Sequence, residues 1–239
     1  MLRIALFTQR ALPLTTDVFT AFAGEVPDRQ EDRPKEGVRR QIGIIDGAEL
    51  RANITPIMVD FVLTPPPLTA EAALGDLASF STGELKAELA KFERKTLAWL
   101  PKWEVATTRV SLIIQARAAA SSKEAAYEIL QNNLSSVRVR PKEMEDLFFR
   151  VNWKAKTSII PEGYYNLLNS WTGVKFLTTA QSAPGGPEVA LLERHFAQVE
   201  MDINTPAERA DPLPRDRLGT IYSELFRLAV KVAEAGEGP

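Results

Sequence analysis

Two acidic side chains alternate near the end of a predicted strand, residues 193–205 (ERHFAQVEMDINT). Glu200 and Asp202 are two positions apart, so their side chains share one face of the strand. Strand geometry places their Cα atoms roughly 6.5–7 Å apart, a spacing that suits a divalent cation or an acid–base pair. Asp60, in an earlier predicted strand, is the nearest third carboxylate. Asp60, Glu200 and Asp202 therefore form a candidate ligand site, and the alternative is a merely solvated polar face.

The chain has a single histidine, His195, and no cysteine. These counts exclude thiolate and multi-histidine metal sites, and they allow a Ser-His-Asp site only with His195 as its base. His195 begins the apolar side of its strand, where we expect a hydrogen-bonded structural residue. The Gly185-Gly186 pair lacks the residues of a phosphate-binding loop and predicts a turn over 183–187. We therefore predict no cofactor and no metal, and we favour a protein that is not an enzyme.

Residues 138–156 form a basic run that contains Trp153. Positive side chains beside an aromatic on a sheet are typical of proteins that bind single-stranded nucleic acid. Glu143, Glu145 and Asp146 interrupt the run and cancel part of its field. The candidate nucleic-acid residues are Arg138, Arg140, Lys142, Arg150, Trp153, Lys154 and Lys156.

Two further segments are candidates for contact with a partner. Residues 164–171 (YYNLLNSW) have no counterpart in the first half and predict a short helix inserted near 154–172. Tyr164, Tyr165, Asn169 and Trp171 are its predicted partner contacts. Residues 27–40 are charged, contain two prolines and lack an apolar period, so we predict a solvated loop there.

Strands and long helices are expected to position these residues. Apolar runs predict strands at 2–8, 41–45, 50–54 and 57–63, with Asp46-Gly47 as the type I′ turn of a hairpin. Thr15-Thr16-Asp17 predicts the N-terminal cap of a short helix. Apolar residues at helical spacing then predict two long amphipathic helices, one from Thr82 to Pro101 and one that ends near Gly236.

A segment near residue 109 resembles the beginning of the chain, which suggests an internal duplication. RIALFTQ at 3–9 returns as RVSLIIQ at 109–115, and the same offset aligns Thr15-Thr16 with Ser121-Ser122. The sequence thus predicts an α+β fold of two pseudo-symmetric β-α-β-β-β-α units with largely antiparallel sheets, each covered by a long helix. The units would be residues 1–104 and 105–239, packed either as two domains or as one domain, with their sheets joined or apposed. The alternative is a chance echo between strand–helix–strand segments.

Composition narrows the possible partners. The chain has 239 residues, 45% of them hydrophobic and 25% charged, which is ordinary globular usage. Its net charge of −2 gives no bulk attraction to nucleic acid. No run of about 18 apolar residues predicts a membrane-spanning helix. We expect a cytoplasmic protein that does not bind membranes.

Three short motifs in the later half resemble a known family. They are FFRVN at 148–152, NLLNSW at 166–171 and DINTP at 202–206, before a terminal helix. Together they are similar to a sporadically distributed family of uncharacterised bacterial proteins that also look like paired α/β units. The resemblance implies a bacterial, cytosolic, accessory protein, and it brings no activity or site residues.

Three functions are compatible with these residues. The leading hypothesis is a non-enzymatic interaction component of a bacterial cytosolic assembly, whose partner is another protein or a second copy. The alternative is a small-molecule or nucleotide-binding protein, including a metal-assisted hydrolase, with a pocket between the repeats. The second alternative is nucleic-acid binding through the basic run at 138–156.

Overall fold

Nine strands form one continuous antiparallel sheet in the computed structural model, which describes residues 1–13, 17–65, 82–160, 163–181, 188–209 and 211–236. The strand order is β2-β3-β4-β5-β1-β6-β9-β8-β7, so β1 and β6 lie at the centre and β2 and β7 at the edges. The strands are β1 (Leu2–Thr8), β2 (Arg29–Arg33), β3 (Val38–Ile45), β4 (Ala48–Thr55), β5 (Met58–Thr64), β6 (Thr107–Ala120), β7 (Phe148–Lys156), β8 (Tyr164–Gln181) and β9 (Glu188–Asn204).

Four α-helices in the described ranges pack on the sheet. Their bounds are α1 (Phe19–Ala23), α2 (Thr82–Trp99), α3 (Lys123–Asn133) and α4 (Leu218–Ala235), and single 3₁₀ turns occupy Pro34–Glu36, Leu100–Lys102 and Arg215–Arg217. The side chain of Ser122 caps α3 by accepting a hydrogen bond from the backbone N–H of Ala125 at 3.1 Å. None of the described helices is long and apolar enough to cross a membrane.

The core lies between the sheet and the two long helices. Alternate residues of β1 and β6, including Ile4 and Leu112, are fully buried against α2 and α4 because strand side chains alternate between faces. Phe61 of β5 stacks on Phe22 of α1, with 4.1 Å between ring centroids, and meets Trp99 of α2 edge-on. A second apolar cluster lies under α3 and includes Tyr127, Leu130 and Trp171.

The predicted architecture of two β-α-β-β-β-α units, each covered by its own long helix, is wrong. β1 pairs with β6 from Leu2 to Thr8, which joins the strands of both halves into one sheet. α2 and α4 contact each other, and both contribute to one apolar core that includes β1, β5, β6 and β9. The physical reason is that the paired central strands leave no boundary at which separate sheets or separate cores can form.

Local predictions had mixed outcomes. The hairpin at Asp46-Gly47 is confirmed, since both residues have positive φ, +50° and +80°, between β3 and β4. The loop predicted over 27–40 is wrong, because β2, a 3₁₀ turn and the start of β3 occupy it. The helix predicted at 164–171 is also wrong, because these residues begin β8. The cap at Thr15-Thr16 and the turn at 183–187 lie outside the described residues.

Candidate functional site

All four helices lie on one face of the sheet, and the opposite face, called the open face here, has no helix over it in the described part of the chain. The strand register assigns each strand residue to a face, because paired residues point to the same side. Basic residues outnumber acidic ones on the open face, although the whole chain has a net charge of −2. The basic residues there are Arg3, Arg29, Arg33, Arg40, Arg51, Arg109, Arg117, Arg150, Lys154, Lys156 and Arg194, and the acidic ones are Glu31, Glu49, Asp60, Glu200 and Asp202.

Asp60 lies near the middle of the open face and is only 2% exposed. One carboxylate oxygen forms an ion pair with Arg3 of β1. The other accepts a hydrogen bond from Asn53 Nδ2 of β4 at 2.6 Å. Asn53 Oδ1 in turn accepts from Arg40 Nε of β3 at 3.0 Å. Both oxygens of Asp60 are therefore engaged in a network that crosses four strands.

Asp202 and Glu200 also lie on the open face, but far from Asp60. Asp202 Oδ1 accepts hydrogen bonds from Ser111 Oγ at 2.8 Å and from Asn204 Nδ2 at 3.0 Å. β1 and β6 separate the strand of Asp60 from that of Asp202, and Asp202 is also offset by two residues along β9, which puts the two residues roughly 16 Å apart. The structure does not bring the three predicted ligand residues together. Within the described ranges, no group of three or more acidic or histidine side chains is placed to bind a metal ion.

Several open-face arginines lack a carboxylate partner among the described residues. The Arg109 guanidinium lies over the Phe7 ring, 5.1 Å from its centroid, and its buried Nε has no hydrogen-bond partner there. Arg117 lies 5.0 Å from the centroid of the Phe176 ring and donates from Nε to Gln198 Oε1 at 2.7 Å. Burial lowers the pKa of Arg117 below its usual value. No carboxylate in the described part of the chain forms an ion pair with Arg109 or Arg117.

The outer edge of β7 is the other unusual feature. Gly173 N–H donates to Leu147 C=O, and Thr157 N–H donates to Gly163 C=O, each at 3.2 Å. Leu147 and Thr157 are both odd-numbered, and in an antiparallel pair every second residue of a strand bonds to its neighbour strand. The odd-numbered residues of β7 therefore form the backbone hydrogen bonds to β8. The even-numbered residues direct their N–H and C=O groups away from β8. These five residues are Phe148, Arg150, Asn152, Lys154 and Lys156, and all are exposed.

The opposite edge of the sheet is protected. β2 has only five residues, and very short edge strands resist pairing with other chains. Its acidic residues are neutralised within the sheet: Asp32 pairs with Arg39 at 2.8 Å, and Glu31 pairs with Arg29 at 3.1 Å. The longer β7 has no such pairing with the described residues, so the two edges are not equivalent.

No protein-family model matches this chain, and no curated protein matches it. The candidate site is therefore defined by the geometry of the open face and of the β7 edge alone.

The predicted nucleic-acid residues do not form one surface. Arg150, Lys154 and Lys156 share the open face of β7. Trp153 is on the opposite face of the same strand, where 45% of it is exposed, so it cannot stack on a base held by those three residues. The remaining residues, Arg138, Arg140 and Lys142, precede β7, and Arg140 forms an ion pair with Glu143 at 2.8 Å.

The predicted partner contacts in 164–171 are mostly buried. Tyr165, Asn169 and Trp171 face the helices, and each is at most 1% exposed. Tyr165 Oη donates to Glu224 Oε2 of α4 at 2.8 Å, and burial is the main cause of its raised pKa. Only Tyr164 lies on the open face, where Lys154 Nζ is 4.5 Å from its ring centroid. Three of the four residues are thus buried beneath the helices and are not accessible to a partner in this structure.

His195 lines a polar cleft of about 520 Å³ at the start of α3. Its Nε2 lies 2.9 Å from Glu193 Oε1, in agreement with the expected hydrogen-bonded residue. Lys123 and Lys175 also line the cleft and pair with Glu145 and Glu193, respectively. Four carboxylates and two lysines line the cleft, so its charges cancel only in part and the cleft is acidic.

The amino group of Met1 is also close to the open face. It donates to Gln115 C=O of β6 at 2.9 Å, and Gln115 N–H donates back to Met1 C=O at 2.9 Å. Burial, followed by the charge of Arg117, lowers the pKa of this amino group to about 6. The group adds little positive charge to the open face at neutral pH.

Sequence reasoning missed most of the open-face network. Arg3, Asn53 and Ser111 were not among the candidates, because each contacts its carboxylate from a different strand. Phe148, which is 64% exposed on the β7 edge, was also missed as a candidate. The available signal was the alternation in FFRVNWKAK, where every second residue is apolar and the others are largely basic.

Proposed function

We propose that this chain is a non-enzymatic interaction protein, a component of a bacterial cytoplasmic assembly, that binds its partner by accepting a strand along the outer edge of β7. The observation that carries the proposal is the row of outward-directed N–H and C=O groups on five alternate residues of β7. An exposed edge of this length is a template for strand addition, in which main-chain hydrogen bonds supply affinity. The resemblance of the later half to a bacterial family supports the cellular setting.

The edge proposal predicts that Asn152→Pro abolishes partner binding while the fold survives. Proline at residue 152 removes an outward N–H and leaves the backbone hydrogen bonds of Val151 and Trp153 to β8 in place. Edge strands tolerate proline at such positions, because the lost N–H does not bond to the neighbouring strand. Tagged protein would be isolated from cells of the source organism, and co-purifying proteins would be quantified by mass spectrometry. We expect at least one abundant partner that is lost from Asn152→Pro.

Asn152→Ala is the matched control, because it truncates the same side chain and keeps the N–H. It should retain the partner at the level of the unmodified protein. If both variants retain the same set of proteins, strand addition at β7 is excluded. Thermal melting of both variants checks that the sheet is intact.

Nucleic-acid binding on the open face is a second candidate, supported by the concentration of arginine and lysine there in a chain of net charge −2. We expect the double variant Arg109→Ser/Arg194→Ser to weaken binding of fluorescent oligo-dT by about fivefold to tenfold, and we expect binding to fall steeply with salt. Fluorescence anisotropy at low and high salt measures both effects. Lys91→Ser on α2 is the control, since Lys91 is on the helix side of the molecule. Equal binding by all three proteins would refute a specific role for this face.

A further inference from the structure

The two faces of β7 differ completely in their chemistry. The residues on the open face are Phe148, Arg150, Asn152, Lys154 and Lys156, and those on the opposite face are Phe149, Val151, Trp153 and Ala155. One face is thus largely basic and carries no acid, and the other is apolar throughout. An added strand would continue the sheet, so its side chains would lie beside these two sets.

The positive charges on this edge are not neutralised by the described part of the protein. Arg150, Lys154 and Lys156 form no ion pair with any residue that the structure describes, although Lys154 lies over the Tyr164 ring. The adjacent strand β8 offers only uncharged side chains on the open face between 164 and 176. The nearest open-face acids, Glu200 and Asp202, are two strands away, roughly 10 Å.

We infer that the strand accepted by β7 has acidic side chains at alternate positions and apolar side chains between them. This inference rests on the proposed strand addition and names the chemistry of the partner. Acidic side chains directly across from Arg150, Lys154 and Lys156 form cross-strand pairs of opposite charge, which stabilise a sheet. Apolar side chains on the other face extend the contact with Phe149, Val151 and Trp153.

A second copy of this chain fits the edge poorly. Two β7 strands paired about Asn152 would place Arg150 opposite Lys154, and any other register still joins strands whose charged residues are all basic. Like charges directly across a sheet are destabilising. The β2 edge of another copy offers Arg29, Glu31 and Arg33 on its open face, so it also presents more positive than negative charge.

A nucleic acid satisfies only part of this edge. Phosphate oxygens accept hydrogen bonds, so they match the outward N–H groups and the basic side chains. They offer no donor to the outward C=O groups of the same residues. A peptide strand provides both donors and acceptors at the required spacing, and the geometry therefore favours a protein partner.

The test uses the full chain and three fluorescent nine-residue peptides. The acidic peptide is EVEVEVEVE, the basic peptide is KVKVKVKVK, and EEEEEVVVV has the acidic composition without the alternation. Binding to the unmodified protein, to Asn152→Pro and to the charge reversal Arg150→Glu/Lys154→Glu is measured by anisotropy. We expect the acidic peptide to bind the unmodified protein at least about tenfold more tightly than either other peptide.

The variants separate charge from strand pairing. Asn152→Pro should lose binding of the acidic peptide, whereas the charge reversal should lose it and gain the basic peptide. Equal binding of EVEVEVEVE and EEEEEVVVV, or no change on charge reversal, would overturn the inference. Dimerisation of the unmodified protein that Asn152→Pro abolishes, measured by sedimentation, would also overturn it in favour of a second copy. If the peptide test fails but Asn152→Pro still loses a cellular partner, the proposed strand addition at β7 is retained. Only the inferred acidic character of the added strand is then excluded.

Discussion

Replacement of Asp60 by alanine is expected to lower the free energy of unfolding by about 3 kcal/mol, the lower end of the range for removing one partner of a buried ion pair, because Arg3 is partly exposed. The carboxylate is 2% exposed and joins Arg3 of β1 to Asn53 of β4. Its removal leaves the Arg3 guanidinium in the middle of the sheet without a counter-ion, and Arg3 Nε already lacks a hydrogen-bond partner among the described residues. Urea denaturation monitored by tryptophan fluorescence measures the loss.

Two control variants separate the ion pair from the hydrogen bond. Asp60→Asn removes the charge and keeps an oxygen that accepts from Asn53 Nδ2, so it should cost less than Asp60→Ala. Asp202→Ala should cost less, about 1.5 kcal/mol, the lower end for hydrogen bonds to a charged group, because Asp202 accepts from Ser111 and Asn204 and forms no ion pair with a described residue. Equal losses for Asp60→Ala and Asp202→Ala would contradict the structural role assigned to the Arg3 ion pair.

Replacement of Gly173 by alanine is expected to lower the free energy of unfolding by about 2–3 kcal/mol. Gly173 lies on β8 directly under the ring of Tyr127, and an added Cβ would overlap the ring atom Cε1. The ring cannot move freely. Tyr127 Oη donates to Glu145 C=O at 2.6 Å and accepts from Leu147 N–H at 3.2 Å, which ties α3 to the segment before β7. Thermal and urea denaturation both report the loss.

Gly219→Ala is the matched control for this change. Gly219 lies in the first turn of α4, where an added Cβ would have Leu97 Cδ2 as its nearest neighbour at 3.9 Å, an ordinary contact. Alanine favours the helix over glycine, so this variant should raise the free energy of unfolding by about 0.5 kcal/mol. A similar effect of both substitutions would show that the ring of Tyr127 does not enforce glycine at residue 173.

Much of the secondary structure follows from local patterns. The short apolar run at 2–8 predicts β1 over its whole length. The helical spacing of Leu85, Leu89 and Phe92 predicts α2, whose buried face these residues form. The helix predicted at 164–171 is wrong. The two apolar pairs of this segment, Tyr164-Tyr165 and Leu167-Leu168, fit a helix as well as a strand, so the local pattern does not choose between them. Pairing with β7 and β9 on both sides makes it a strand.

The candidate site can be predicted only in part. The period of two in 193–205 correctly places Glu200 and Asp202 on one face. It carries no information on the distance to Asp60, which depends on β1 and β6 lying between them. The basic character of Arg150, Lys154 and Lys156 is visible in the sequence, but their position on an unpaired edge is not.

Strong local periods in the sequence are enough to specify several elements: the central strands, the Asp46-Gly47 hairpin, the two long helices and the alternation of β7. Tertiary structure alone decided that all nine strands share one sheet, with β1 beside β6 and β7 at an edge. Periodicity reports which side of a strand is buried, and it is the same for an edge strand and a central one. The choice between them is made by backbone hydrogen bonds between residues far apart in the chain, and these bonds leave no mark on local sequence.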